Sequence, residues 1–253
     1  MRNITYDTVL GYFAQDDVLA TGLPALYRYL QDGNTKYKVF FFGRHGEGFH
    51  NVGLAKYQRP AWPEYWARLN GDGEIVWGPD PELTAIGISQ AVTVNDEWKA
   101  EFPFGIPLPE KLYTSPLTRA MKTCEVTFEG ILPDDKRRAV VVENCRERHG
   151  LHTCDKRRTK SYIQQAFPLF DVEPGLTEHD TLWDEHSREE MTGPAERAKK
   201  VLDHIFENDN ETFVSVTAHI LIIHGFLQCV GRALYEIPTG GVLPVIVKAV
   251  HSS

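Results

Sequence analysis

The hydrophobic pattern divides the chain into short apolar runs separated by amphipathic stretches. Val39 to Phe42 is an uninterrupted apolar run that stops at Gly43, the signature of a buried strand. Asp80-Pro81-Glu82-Leu83-Thr84 opens a helix with Thr84 at its N-cap, and the apolar positions Ile88, Ala91, Val92 and Trp98 continue it. Lys111 to Thr114 reads as a short strand. Ser115-Pro116-Leu117-Thr118-Arg119 then starts a helix with Ser115 as cap and Pro116 in the first turn. Ala139 to Glu143 is a further strand, and Glu189 to Phe206 a helix interrupted near its start by Gly193-Pro194. Thr212 to His219 is a buried strand ending in a histidine. Ile220 to Leu234 follows as a buried helix, and Val242 to Val250 is the last strand, with Pro244 near its start. Strands alternating with helices predict an α/β fold whose sheet is parallel or mostly parallel, with helices on both faces.

The stretches between these elements are less regular. Residues 1–37 form an N-terminal extension, with a short helix between Asp16 and Leu30 broken by Gly22 and Pro24, and a turn at Asp32-Gly33-Asn34. Tyr57 to Pro81 holds Trp62, Trp66 and Trp77 among prolines and glycines. Aromatics there either cap a core or line a pocket, and packing is the favoured reading. Pro103 to Pro109 is a loop. Residues 151–190 are charged, hold Pro168 and Pro174, and read as a lid or insertion over the sheet rather than another βα unit. No internal repeat marks a boundary, so residues 1–253 are expected to form one domain.

Composition narrows the classes. An apolar fraction of 42% and a charged fraction of 25% are ordinary for a globular protein. The net charge of -8 argues against a nucleic-acid partner, although a local cationic pocket remains compatible with it. No N-terminal stretch resembles a signal peptide and no apolar run is long enough to span a membrane, so no membrane association and a cytoplasmic location are expected. The four cysteines, Cys124, Cys145, Cys154 and Cys229, show no paired metal spacing and read as buried thiols of a reducing compartment. His152-Thr153-Cys154-Asp155 is a weak metal cue. The oligomeric state is left open.

The candidate chemistry lies at the ends of the apolar runs. Phe42 leads into Gly43-Arg44-His45-Gly46-Glu47-Gly48, which delivers an arginine and a histidine into a glycine-rich loop. The end of a buried strand in an α/β sheet is where ligands usually bind. Arg44 offers a charged fork suited to phosphate or carboxylate, and His45 a nucleophilic nitrogen or proton carrier. Taken alone, this stretch reads equally well as a strand and a solvated turn. Arg119, in the first turn of a helix, either strengthens an anion site or forms a surface ion pair. Glu147 lies between Arg146 and Arg148, a setting that by charge alone keeps it ionised. Acid-base work would require burial or a bound dianion nearby.

Arg44-His45-Gly46, Ser115-Pro116-Leu117-Thr118-Arg119-Ala120, Arg146-Glu147 and Thr217-Ala218-His219, in this order and each after a strand, resemble the histidine phosphatase superfamily. The helix opening at Asp80, with Gly87 and Gln90-Ala91, resembles the family's helix after the catalytic loop, and the likeness runs from Val39 to Val250. It implies the phosphoglycerate mutase-like fold, a three-layer αβα sandwich around a mostly parallel sheet. It also implies His45 as the nucleophile that becomes a phosphohistidine, and Arg44, Arg119 and His219 as ligands of the phosphoryl oxygens. Asn51 matches a phosphate-binding position, and Glu147 would be the proton donor and later the base. Neither cofactor nor metal is implied, because two arginines and a histidine supply the positive charge.

His50-Asn51-Val52 and His152-Thr153-Cys154-Asp155-Lys156-Arg157-Arg158 resemble the phosphoglycerate mutase-like phosphatases of fungi and plants. Glycolytic mutases carry Ser and Trp where this chain has Gly48 and His50. The resemblance therefore implies a phosphomonoesterase acting on a small phosphorylated substrate, with mutase-type transfer as the alternative. Gly48, Arg157 and Arg158 are expected to bind substrate, and His50 and the tryptophans are further candidates for contact with the leaving group. One departure stands out. Ile220-Leu221-Ile222-Ile223 follows His219 where the family usually has small residues, and a β-branched residue is poorly tolerated at positive φ. This keeps open a catalytically weakened relative that binds a ligand or partner.

Overall fold

The computed structural model describes residues 4–8 and 35–251. The helix expected between Asp16 and Leu30 and the turn at Asp32-Gly33-Asn34 lie outside the described residues. In chain order the strands are β1 (Ile4–Thr8), β2 (Thr35–Arg44), β3 (Lys111–Thr114), β4 (Val140–Val141), β5 (Asp171–Val172), β6 (Phe213–Ala218) and β7 (Val242–His251). The helices are α1 (Phe49–Tyr57), α2 (Ala61–Glu64), α3 (Ala85–Glu101), α4 (Thr118–Phe128), α5 (Lys160–Ala166), α6 (Gly193–Asn208) and α7 (Ile220–Cys229). The seven strands form one sheet in the order β1-β7-β2-β6-β3-β4-β5. β2, β6, β3, β4 and β5 run parallel, and β7 and β1 close the sheet antiparallel.

The period of two in β2 sorts its side chains to opposite faces. Phe40 and Phe42 pack with Val214, Val216, Leu202, Ile205, Phe206, Ile223 and Phe226, which places α6 and α7 on one face. Val39 and Phe41 pack with Trp98, Leu112, Met121 and Phe128, which places α3 and α4 on the other. The result is the three-layer α/β architecture. Burying a phenylalanine of this kind stabilises by about 1.5–3 kcal/mol, so the stacked rings of Phe40, Phe42 and Phe226 are a main anchor of β2.

Several boundaries differ from the sequence expectation for identifiable reasons. Helix α4 begins at Thr118, not Ser115, because its first turn is capped from a distance. Asp80 Oδ1 accepts the Thr118 N–H at 2.9 Å and its Oδ2 accepts the Thr118 hydroxyl at 2.7 Å. Gly193-Pro194 starts α6 instead of interrupting it, since proline suits the first turn. Helix α7 ends at Cys229 because Gly231 takes a left-handed φ of 66°. The Arg232 N–H then reaches back to Leu227 O and that of Gly231 to Gln228 O, which closes the helix. The strand expected over Ala139–Glu143 pairs only at Val140–Val141 and passes into a helical turn at Glu143–Cys145. The 151–190 segment contributes α5 and the edge strand β5, parallel to β4, anchored by the buried Ile163, Phe167, Phe170 and Leu176. It is thus a crossover unit of the sheet and not only a cover. Part of the N-terminal extension, β1, likewise pairs with β7. The tryptophans Trp62 and Trp77 pack with Ala67 in a small core, where Tyr57 and Trp66 stack with ring centroids 3.9 Å apart.

Candidate active site

The parallel strands end in register. Arg44 lies opposite Ala218, and Thr114 lies opposite both Thr217 and Val141. The residues leaving those ends, His45, His219, Ser115 and, after one helical turn, Glu147, therefore gather along one edge of the sheet. The His45 loop is clamped there. Gly46 N–H donates to Thr123 Oγ1 at 3.0 Å, and a Cβ on Gly46 would sit 2.3 Å from the carbonyl oxygen of Gly87. Only two glycines allow the loop and the start of α3 to approach this closely. Thr84 caps α3 as expected and also donates to Glu47 Oε1 at 2.8 Å.

His45 is buried, and its Nδ1 lies 2.7 Å from Gly46 O. A carbonyl only accepts, so Nδ1 carries the proton and Nε2 keeps its lone pair. The rings of His50 and His219 have centroids 5.3 Å and 4.9 Å from that of His45. Burial, followed by the charges of Arg119 and Arg44, holds the His45 imidazole well below its ordinary value, so it is neutral near pH 7. His219 and His50 are held well below theirs by burial and Arg119. His219 Nε2 lies 2.8 Å from Ser115 Oγ.

The arginines are fixed by the protein while part of each remains unpaired. Arg119 Nη1 donates to Cys154 O at 2.7 Å and its Nη2 to Asp155 Oδ1 at 3.0 Å. Arg44 Nη1 donates to Ile237 O at 2.7 Å. Seven buried side-chain nitrogens among the described residues lack a partner, and four of them belong here: Arg44 Nε, His50 Nδ1, Arg119 Nε and His219 Nδ1. A cluster of unsatisfied nitrogens beside two guanidinium groups is complementary to an anion rich in acceptor oxygens.

The Glu147 carboxyl is raised from its ordinary value, by burial first and then by Asp155, against the pull of Arg119 and two backbone N–H groups. Its sequence neighbours do not hold it ionised. The Arg146 guanidinium turns to Glu143 and Asp180, and Arg148 Nε donates to Glu189 O. Ile220 begins α7 with no left-handed backbone, because among the described non-glycine residues positive φ occurs only at Gln58, Asp80 and Leu151. The strain expected of the isoleucine is absent.

The substrate-binding candidates separate. Asn51 Oδ1 accepts the Gly48 N–H at 2.9 Å and so shapes the catalytic loop. Gly48 leaves room for a neighbour, since a Cβ there would lie 2.8 Å from His50 Nδ1. Arg157 is buried, with Nε on Glu143 Oε2 at 2.8 Å and its remaining nitrogens on the carbonyls of Arg158, Thr177, Glu178 and His179. Arg158 lines a separate cavity with Lys156. His152, Cys154 and Asp155 offer ligand atoms within 4.8 Å of one another. Asp155, however, gives one oxygen to Arg119 and the other to Arg188, and burial drives the Cys154 thiol well above its ordinary value. That donor set is poorly suited to a cation. Ser115 as the partner of His219, and Asp155 as the partner of Arg119, were not legible as such. Asp155 lay within the charged 152–158 motif, and that was its only signal.

Residues 40–238 match the model of the histidine phosphatase superfamily (branch 1). The chain belongs to the histidine phosphatase superfamily. It is 38% identical over 286 residues to a probable phosphoglycerate mutase of Arthroderma benhamiae, covering 97% of this chain and 84% of that protein. It is 32% identical over 256 residues to phosphomutase-like protein 3 of Candida albicans, covering 96% of this chain and 79% of that one. Among solved structures, mycobacterial glucosyl-3-phosphoglycerate phosphatase in complex with VO3 shares the fold with a TM-score of 0.51 at 18% identity, covering 82% of this chain and 92% of that chain. Ecdysone phosphate phosphatase from Bombix mori does so with a TM-score of 0.51 at 16% identity, covering 82% and 88%. Among the described residues of this superfamily member, no helix is long and apolar enough to cross a membrane.

Proposed function

We propose that the protein is a phosphomonoesterase that acts on a small phosphorylated substrate through a phosphohistidine. The observation that carries this reading is the neutral His45, with Nε2 free, beside four unpartnered buried nitrogens of Arg44, Arg119, His50 and His219. In the first step the Nε2 lone pair of His45 forms a bond to phosphorus and the bond to the leaving oxygen breaks. Glu147, raised toward its acid form, gives that oxygen its proton. Arg44, Arg119 and His219 hold the phosphoryl oxygens and offset the charge that develops on them. In the second step the Glu147 carboxylate takes a proton from water, the resulting hydroxide attacks phosphorus, and the N–P bond breaks to release inorganic phosphate.

Mutase-type transfer is the second reading, and the names of the fungal relatives favour it. Incubation with 3-phosphoglycerate separates the two: a phosphatase releases inorganic phosphate, whereas a mutase yields the isomeric phosphoglycerate. The weakened-relative reading predicts neither. Para-nitrophenyl phosphate turnover at mildly acidic pH, with His45→Ala as control, tests the main reading. Rapid quench of the wild type should yield acid-labile, base-stable label. Substantial turnover by His45→Ala would sink the assignment. The free state of all four cysteines supports a reducing, cytoplasmic setting, and the net charge of -8 supports partners other than nucleic acid.

A further inference from the structure

Lys156, Arg157, Arg158, Tyr162, His179 and Asp180 surround a cavity of about 460 Å³. None of its lining residues belongs to the His45 cluster. Its charges do not cancel. Arg157 and Arg146 are matched by Glu143 and Asp180, as Arg157 Nε meets Glu143 and Arg146 meets both carboxylates. That leaves two cations on the wall. Neither Lys156 nor Arg158 has a carboxylate within ion-pair distance among the described residues.

Both are instead held against aromatic rings. Lys156 Nζ lies 4.3 Å from the centroid of the Trp183 ring, and Arg158 Cζ lies 5.3 Å from that of Tyr162. An aromatic face positions a cation without neutralising it. Trp183 is itself fixed, its Nε1 donating to His152 O at 2.8 Å. Arg158 Nε is buried with no partner, one of the three such nitrogens outside the His45 cluster. The buried Asp80 carboxylate feels the charge of Arg158 at longer range but is already engaged by Thr118. Arg157, tied down by Glu143 and four carbonyls, makes a rigid floor under the pair.

We propose that Lys156 and Arg158 form a second anion site, separate from the His45 cluster, that takes the phosphate or carboxylate of a small molecule. The cavity volume lies in the range of small-molecule sites. Two unmatched cations on aromatic supports call for a ligand with at least two negative charges, and the guanidinium fork suits phosphate. The anion comes either from a separate phosphorylated metabolite or from a second charged group of the substrate. The site stands on this geometry and does not require the phosphatase reading.

The test is calorimetric titration of pyrophosphate into the full chain, free and saturated with orthovanadate to fill the His45 site. Vanadate-loaded wild type should bind one pyrophosphate. Arg158→Ala and Lys156→Ala should each weaken that binding about tenfold or more, since a charge-assisted contact is lost. Arg158→Lys should lose less, and its unchanged melting temperature would confirm that the fold is intact. No pyrophosphate binding to vanadate-loaded protein, or equal binding by folded Arg158→Ala, overturns the proposal. If vanadate itself fails to bind, the phosphatase reading is in difficulty, but titration of the free protein still compares wild type with Arg158→Ala. The source is read from the ratio of KM for 3-phosphoglycerate to KM for para-nitrophenyl phosphate. A rise of that ratio in Arg158→Ala assigns the anion to the substrate, and a constant ratio beside lost pyrophosphate binding assigns it to a separate molecule.

Discussion

The backbone N–H of Leu221 donates to Oε2 of Glu147 at 3.4 Å. The apolar run after His219, read from sequence as an obstacle, thus supplies a contact to the acid-base candidate through its main chain. The Ile220 side chain packs against the core beneath β2 and β6. Replacing Ile220-Leu221 with Ser-Gly should therefore leave the pH profile for para-nitrophenyl phosphate in place. It should lower stability by about 1–2 kcal/mol through lost burial and poorer helix propensity. Denaturant unfolding and a pH series of kcat/KM check both. A shifted alkaline limb would show that these side chains take part in setting the Glu147 environment.

Glu147 is the group whose loss should alter the pH profile itself. Burial raises its carboxyl above the ordinary value and lowers the His45 imidazole below its own, so both shifts favour the pairing of a neutral His45 with a protonated Glu147. The acid limb of kcat/KM should follow His45 and the alkaline limb Glu147. Glu147→Gln should remove the alkaline limb and lower kcat by about 10²–10⁴-fold, more for a sugar phosphate than for an aryl phosphate whose leaving oxygen needs less help. An unchanged alkaline limb would assign the proton to another group.

Arginine substitutions should divide into two kinds. Arg44→Ala and Arg119→Ala remove phosphoryl contacts, and each should cost about 2–4 kcal/mol in kcat/KM. Arg157→Ala removes a buried guanidinium from Glu143 and several carbonyls. Its cost should fall on stability, about 1–3 kcal/mol, since Glu143 keeps Arg146 but the carbonyls of Thr177 and His179 lose their donor. Comparing melting curves with kcat/KM for the three variants checks this. Equal losses of activity with unchanged stability in all three would contradict the division.

Gly48 and His50 should behave as a coupled pair. Gly48 has φ of -102°, which any residue adopts, so its glycine serves the space occupied by the His50 ring. Gly48→Ala should displace that ring and lower kcat/KM. In a His50→Ala background the same substitution should have little effect. Contacting residues typically show coupling of about 0.5–3 kcal/mol in such a cycle. Additive effects would mean that the methyl group disturbs the loop by another route.

What was legible in the sequence follows the range of the interaction responsible. Thr84 caps α3 by a local bond to Gly87 N–H, and local chemistry of this kind is written in neighbouring residues. Ser115 looked like the same device, yet its hydroxyl accepts only the Leu117 N–H ahead of the helix and also meets His219, while the first helical N–H, that of Thr118, goes to Asp80. The strand ends carrying His45 and His219 could be read because a buried strand is a continuous apolar run. Arg157 and Arg158 could not be told apart by charge. One is consumed by carbonyls from residues 177–179 and the other is left unmatched, a distinction made only by the fold.

The histidines also set a pH dependence of stability. His45, His50 and His219 are well below 6.5 and His152 is lowered to about 4, in each case by burial first. Their folded values lie under the unfolded one, so the unfolded chain takes up protons first as pH falls. Their full contribution is present above pH 6.5 and is lost progressively as pH drops toward the folded values. Glu147, raised, and Asp80, raised to about 6, act in the opposite sense: their protonation stabilises the fold as pH falls. His149 is lowered and Glu173 raised in the same way, so five imidazoles against three carboxyls leave a net loss, with each histidine contributing at most about 1.4 kcal/mol per pH unit below its unfolded value. The melting temperature should therefore fall between pH 7.5 and 5.5. His50→Asn, which cannot take up the proton, should flatten that fall. A melting temperature that does not change across this interval would mean that the buried imidazoles are solvated enough to protonate in place.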